Sequence, residues 1–205
     1  MVAPDIEVTA ELARRLLHAQ HPDLAELPLE LVANGWDNAM LRLGPDLAVR
    51  LPRRAAAAEL VRHEQRWLPE LAPRLPVPVP VPIRVGMPQE EYRGHWSIVP
   101  WREGERVASR PLPDRRALAG PLAAFHRALH VPAPPDAPLN AVRGVPLATR
   151  LPAVRGRVAA RLAPPAAAAA AERLAQAPAW TVRPCGCMAT PIPETCSRST
   201  AAGSP

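Results

Sequence analysis

Apolar positions between residues 29 and 51 fall into three short runs, 29–33, 39–43 and 47–51, each bounded by turn-forming residues. Asn34-Gly35 with Asp37-Asn38 supplies the first turn and Gly44-Pro45-Asp46 the second, so the pattern predicts three consecutive strands. Before them, Thr9 is a good N-cap, and Leu12, Leu16 and Leu17 mark one stripe of a helix running to about Gln20, where His21-Pro22 ends it. After them, Ala55 to Leu71 predicts a second helix, with Leu60, Trp67, Leu68 and Leu71 at helical spacing. Residues 76–82 alternate proline and valine, which excludes a helix or a central strand and predicts an extended spacer. Two more strands are expected near Ile83–Met87 and His95–Val99, joined by a polar loop over Pro88–Gly94.

Helical periods dominate from there on. Asp114 is the expected cap of a helix whose Leu118, Leu122, Phe125 and Leu129 share a face, and a proline-rich connection over 132–138 follows. Further helices are expected at about 147–162 and 165–177. His126 and His130 stand four apart, as metal-binding pairs do, but no third ligand lies nearby; packing of His130 at the helix end is the other reading.

Composition adds little to this and excludes some classes. The chain has 205 residues and is 48% apolar, enough for a sizeable core. All 25 basic residues are arginine, and 29 prolines accompany only 10 glycines, a bias that GC-rich codons produce. The pI of about 10.7 therefore does not by itself imply a nucleic-acid partner, because the arginines are spread along the chain among 19 acids rather than gathered in one patch. Asp5 and Glu7 precede any apolar run, which argues against a signal peptide, and the alanine run 166–171 is far too short to span a bilayer. The expectation is a cytoplasmic protein with neither a membrane nor a nucleic acid as partner.

The candidate chemistry gathers around the first three strands. A strand, a small-residue turn, a strand and then a third strand ending in a cation is how nucleotide kinases build a phosphate lid: glycine lets backbone N–H groups approach phosphate oxygens, and the cation reaches the same oxygens. The turn is Asn34-Gly35-Trp36-Asp37-Asn38 and the cation is Arg50. The plainer alternative is a β-meander carrying a surface arginine. Glu64 falls on the apolar stripe of the second helix, whereas Glu59, His63, Arg66 and Glu70 make its polar face. A carboxylate on a buried face needs a partner, and Arg50 is the obvious one; at the helix edge it would instead be solvated.

The order of elements resembles the aminoglycoside phosphotransferase family, small-molecule kinases with a protein-kinase-like fold. The matching strings are Gly35-Trp36-Asp37-Asn38, Leu47 to Arg54, Glu64-Gln65-Arg66-Trp67-Leu68-Pro69, Leu75 to Pro82, Trp96-Ser97-Ile98-Val99-Pro100-Trp101, and the end of the helix at Phe125–His130. The resemblance covers about residues 8–180 and implies an α+β fold: a kinase-like N-lobe of antiparallel sheet plus helix over 1–102, and the first helices of an incomplete helical C-lobe over 103–180. It also implies ATP and magnesium as cofactors and a small-molecule hydroxyl as phosphate acceptor. Nucleotide would be held by Asn34 to Asn38, by Arg50 steadied by Glu64, and by a hinge of Val99, Pro100 and Trp101. Arg50 departs from the usual kinase lysine, but it keeps the charge and can fork onto two phosphate oxygens.

The same resemblance implies a His-Gly-Asp loop, an asparagine five residues beyond the aspartate, and a later aspartate, which together take the substrate proton and hold magnesium. No such string occurs in the 205 residues. Instead the chain changes character after Trp180, and Cys185, Cys187 and Cys196 all lie beyond it in a Thr, Ser and Pro-rich stretch without periodicity. Read one base out of frame, the codons of Trp180 and Thr181 force aspartate, and those of Met188 and Ala189 force glycine. Their neighbours permit Trp-Leu-His before that glycine and Asp-Pro-His-Ser-Gly-Asn-Leu after it. The expectation is a one-base loss near codon 180, which leaves residues 181–205 an aberrant, disordered tail, the Mg ligands missing and the chain inactive as written. A Cys-x-Cys…Cys metal clasp is the tail's rival reading, although zinc ordinarily takes four ligands. The alternative function is a non-catalytic nucleotide-binding or interaction protein built on a kinase N-lobe.

Overall fold

A computed structural model describes residues 5–138, 145, 147–161 and 164–176, which fall into two compact units divided between Leu129 and His130. The expectations about the cysteine-bearing tail lie outside the described residues.

In the first unit the apolar runs become strands β1 (Leu29–Asn34), β2 (Asn38–Leu43) and β3 (Leu47–Pro52), joined by β4 (Arg84–Gly86) and β5 (Trp96–Pro100). The sheet order is β1-β2-β3-β5-β4 and every pairing is antiparallel. Tight turns account for the first three neighbours, and Gly44 takes the left-handed conformation (φ 60°) that its turn requires. The last two strands enter in reverse, because the extended segment 76–82 carries the chain across to the outer edge before it doubles back. At that edge Gly86 faces Trp96, and a Cβ there would lie 2.0 Å from the indole, so only glycine fits.

Helices α1 (Ala10–Gln20) and α2 (Ala55–Leu71) begin and end as expected. The Thr9 hydroxyl accepts the Leu12 amide at 3.2 Å, the predicted cap. Leu12, Ala13, Leu16 and Leu17 of α1 share one buried cluster with Ala39, Leu41, Leu43, Val49, Leu51, Trp96 and Ile98. Strand side chains alternate between faces, so the intervening positions Met40, Arg42, Ala48, Arg50, Ser97 and Val99 belong to the opposite face, where α2 lies.

Two helical expectations need correction. The buried stripe of α2 is Ala57, Val61 and Glu64; Leu60, Trp67, Leu68 and Leu71 are only half-buried, because the helix is rolled to bring Glu64 to the sheet. The helix expected from Asp114 is two helices, α3 (Leu112–Ala117) and α4 (Ala119–Leu129). Asp114 lies in the first turn of α3, whose N-cap position is Pro111. Phe125 and Leu129 are buried, but Leu122 stays exposed, Leu118 is half-buried, and His130 is exposed just past the helix end.

The second unit contains α5 (Leu151–Ala159) and α6 (Pro165–Ala175), linked by an exposed Arg155–Glu172 ion pair at 3.0 Å. Neither helix has a buried residue. Among the described residues no helix is long and apolar enough to cross a membrane.

Candidate nucleotide site

Strand β3 is the axis of the site. Its register pairs Pro52 with Asn38, at the β1–β2 turn, and Leu47 with Pro100, at the exit of β5. Arg50 sits between, opposite Met40 on one side and Ser97 on the other. The predicted turn and the predicted hinge thus lie at opposite ends of one strand, separated by roughly 15 Å of extended chain, with the cation between them.

Arg50 and Glu64 meet as expected. The guanidinium donates through both terminal nitrogens to the two carboxylate oxygens of Glu64, one of these bonds being 3.1 Å. Their side chains are 11% and 5% exposed, so the fork is screened from water. Burial holds the Glu64 carboxyl above its ordinary range, and the Arg50 charge offsets only part of that rise. Glu64 is therefore neither solvated nor at the helix edge.

The turn differs in character. Asn34, Gly35 and Trp36 are exposed, Trp36 to 59%, while Asp37 and Asn38 are half-buried. Gly35 donates its amide to the Asn38 carbonyl at 2.8 Å. At the other end Val99 is buried, Pro100 and Trp101 are half-buried, and the Trp101 amide donates to the Asp46 carbonyl at 2.7 Å.

Several contributors escaped sequence reasoning. Gln65, next to Glu64, donates to the Trp96 carbonyl at 2.7 Å and to the Ser97 hydroxyl at 3.1 Å, pinning α2 to β5. The Arg42 guanidinium lies 5.2 Å from the centre of the Trp101 ring and 3.0 Å from the Glu103 carboxylate, which also accepts the Trp101 indole N–H at 2.8 Å. Arg42 alternates with buried leucines, which placed it on the site face; nothing in the sequence marked its partner. Asp5 accepts the Ala55 amide at 2.9 Å and caps α2 from a point remote in sequence.

This architecture has known counterparts. A family model described as the phosphotransferase enzyme family matches residues 28–187. The chain belongs to this family, that of the aminoglycoside phosphotransferases. Its fold is α+β and protein-kinase-like. Among solved structures it is similar to the GDP complex of wild-type aminoglycoside 2'-phosphotransferase-IIIa, with a TM-score of 0.59 and 18% identity over 77% of this chain and 54% of that one. It is also similar to the GDP and kanamycin complex of APH(2")-IIia, with a TM-score of 0.55 and 18% identity over 74% and 52% of the two chains. At such identity the likeness is one of fold, and the chain spans about half the length of either structure. A search of curated proteins by sequence found no match.

Proposed function

We propose that the sheet unit is the nucleotide-binding part of an ATP-dependent phosphotransferase acting on a small-molecule hydroxyl, and that the 205 residues as written do not catalyse transfer. The Arg50–Glu64 fork carries this reading. A buried ion pair contributes little net stability, so its presence at the centre of the sheet is better explained by holding a cation in place for phosphate. Similar proteins have been solved with GDP and with kanamycin, which favours a nucleotide and a small-molecule acceptor here.

In this reading Asn34 to Asn38 cover the phosphates, with Gly35 allowing close approach, and Arg50 neutralises phosphate charge. Glu64 holds Arg50 against the sheet, and the backbone of Val99, Pro100 and Trp101 meets the base. Arg50 is the charged donor for phosphate in this reading, since the Gly35 and Trp101 amides already donate to the Asn38 and Asp46 carbonyls. Magnesium does not fit the described residues: they contain no cluster of three or more His, Cys, Asp or Glu side chains able to hold it, and Glu64 is occupied by Arg50. We assign residues 1–102 to the nucleotide lobe and 103–180 to the start of the helical lobe. The missing His-Gly-Asp string is the ground for inactivity.

Titration of the full chain with a fluorescent ATP analogue tests the reading. Binding that weakens about tenfold or more in Arg50→Ala, as expected for one charged contact, supports it, and no binding by the unaltered chain overturns it. Phosphate transfer from ATP to any aminoglycoside would overturn the inactivity. Sequencing the coding DNA across codon 180 decides the frameshift. The second reading, a binding or interaction protein, rests on that same missing string, and it gains if the DNA proves uninterrupted while nucleotide still binds.

A further inference from the structure

Two adjacent side chains outside the proposed nucleotide contacts converge on the exposed turn. Arg53 donates through Nη1 to the Gly35 carbonyl at 3.0 Å and through its backbone amide to the Asp37 carbonyl at 2.8 Å. Arg54 pairs with the Asp37 carboxylate at 3.5 Å, both groups half-buried. The other side of the same joint is also tied down. The Asp5 and Ile6 amides donate to the Arg53 carbonyl at 3.0 and 3.1 Å, Asp5 caps Ala55, and the buried Tyr92 hydroxyl donates to the Pro52 carbonyl at 2.7 Å.

We propose that Arg53 and Arg54 are positioning residues that strap the β1–β2 turn to the head of α2, an inference resting on the reading of that turn as a phosphate lid. Asn34, Gly35 and Trp36 are exposed, Trp36 to 59%, so packing contributes little to where the turn sits and directed hydrogen bonds set it. A loop fixed before its ligand arrives loses less freedom on binding. The strap has an electrostatic side as well. An uncompensated Asp37 carboxylate in the lid would repel phosphate, and Arg54 cancels its charge. Arg53 and Arg54 thus act through the turn, whereas Arg50 faces the ligand.

Hydrogen exchange on the full chain without nucleotide tests the strap. Exchange at residues 34–38 should speed up by roughly threefold or more in Arg53→Ala and in Arg54→Gln, as loss of a surface tether allows, with β2–β3 core protection unchanged as the check on folding. Unchanged exchange at the turn in both variants overturns the proposal. Should Arg53→Ala unfold, Arg54→Gln decides alone, since its side chain is half-exposed. Affinity for a fluorescent ATP analogue gives the second arm. Arg54→Gln should weaken binding, and adding Asp37→Asn should recover part of the loss; an equal loss in the double variant overturns the strap, because Arg54 would then be touching phosphate itself. If the unaltered chain binds no nucleotide, the lid reading fails, while the exchange arm still decides the strap.

Discussion

The two faces of the sheet are built from the same strands and do opposite work. On the α1 face, Ala39, Leu41, Leu43, Val49, Leu51 and Ile98 are completely buried against leucines of α1, and the polar side-chain atoms in the cluster are the Tyr92 hydroxyl and the Trp96 indole nitrogen. On the α2 face, the alternate positions carry Arg42, Arg50 and Ser97, and the helix answers with Glu64 and Gln65. One face removes apolar surface from water, which is where folding free energy comes from. The other gives up some of that gain to hold charges in a set geometry. A forked ion pair in the interior of a face adds little net stability, and the proposed role of Arg50 at phosphate accounts for its presence.

The contrast can be broken from either side. Leu41→Ala on the apolar face should cost about 3 kcal/mol or more by denaturant unfolding, from lost burial plus a cavity, and leave the nucleotide affinity of the folded fraction unchanged. Arg50→Ala should cost about 3 kcal/mol, because it strands a buried carboxylate. The paired replacement Arg50→Met with Glu64→Leu should restore most of that stability and still abolish nucleotide binding. A pair that cannot be replaced without unfolding the chain would show that both faces serve stability.

A pH titration sharpens the comparison. Because burial raises the Glu64 carboxyl above its unfolded value of about 4.5, the folded chain retains a proton that the unfolded chain has lost in the window just above that value. The contribution from Glu64 is therefore fully present below 4.5 and declines as pH rises through the raised value. Thermal unfolding followed across that window should show the decline in the unaltered chain and lose it in Glu64→Gln. The smallest effect expected is for Asp5→Ala, which removes the cap of α2 and should cost about 1 kcal/mol, with faster amide exchange confined to the first turn of the helix.

Much of this was legible because burial writes itself into spacing. The short apolar runs at 29–51 gave strand bounds correct to a residue, and the Asn-Gly and Gly-Pro-Asp punctuation gave their turns. Glu64 was legible for a different reason: a carboxylate on a helix stripe is anomalous unless something meets it. What periodicity could not give was rotation. The stripe drawn through Leu60, Trp67 and Leu71 misses the true one by part of a turn, because large apolar residues were weighed above the small Ala57 and Val61 that allow close approach to the sheet. The break at Leu118 was hidden because apolar spacing runs smoothly across it.

The chain by itself determined its strands, its first two helices and the charges that interrupt them, since each follows from neighbours a few positions away. The tertiary structure alone decided that β5 enters between β3 and β4, that Gln65 and Tyr92 would find carbonyls remote in sequence, and that Asp5 and Asp37 would meet at opposite sides of the Arg53–Arg54 joint. Those contacts leave no periodic trace, because a hydrogen bond between distant segments depends on where the whole sheet brings them and not on the pattern of either one.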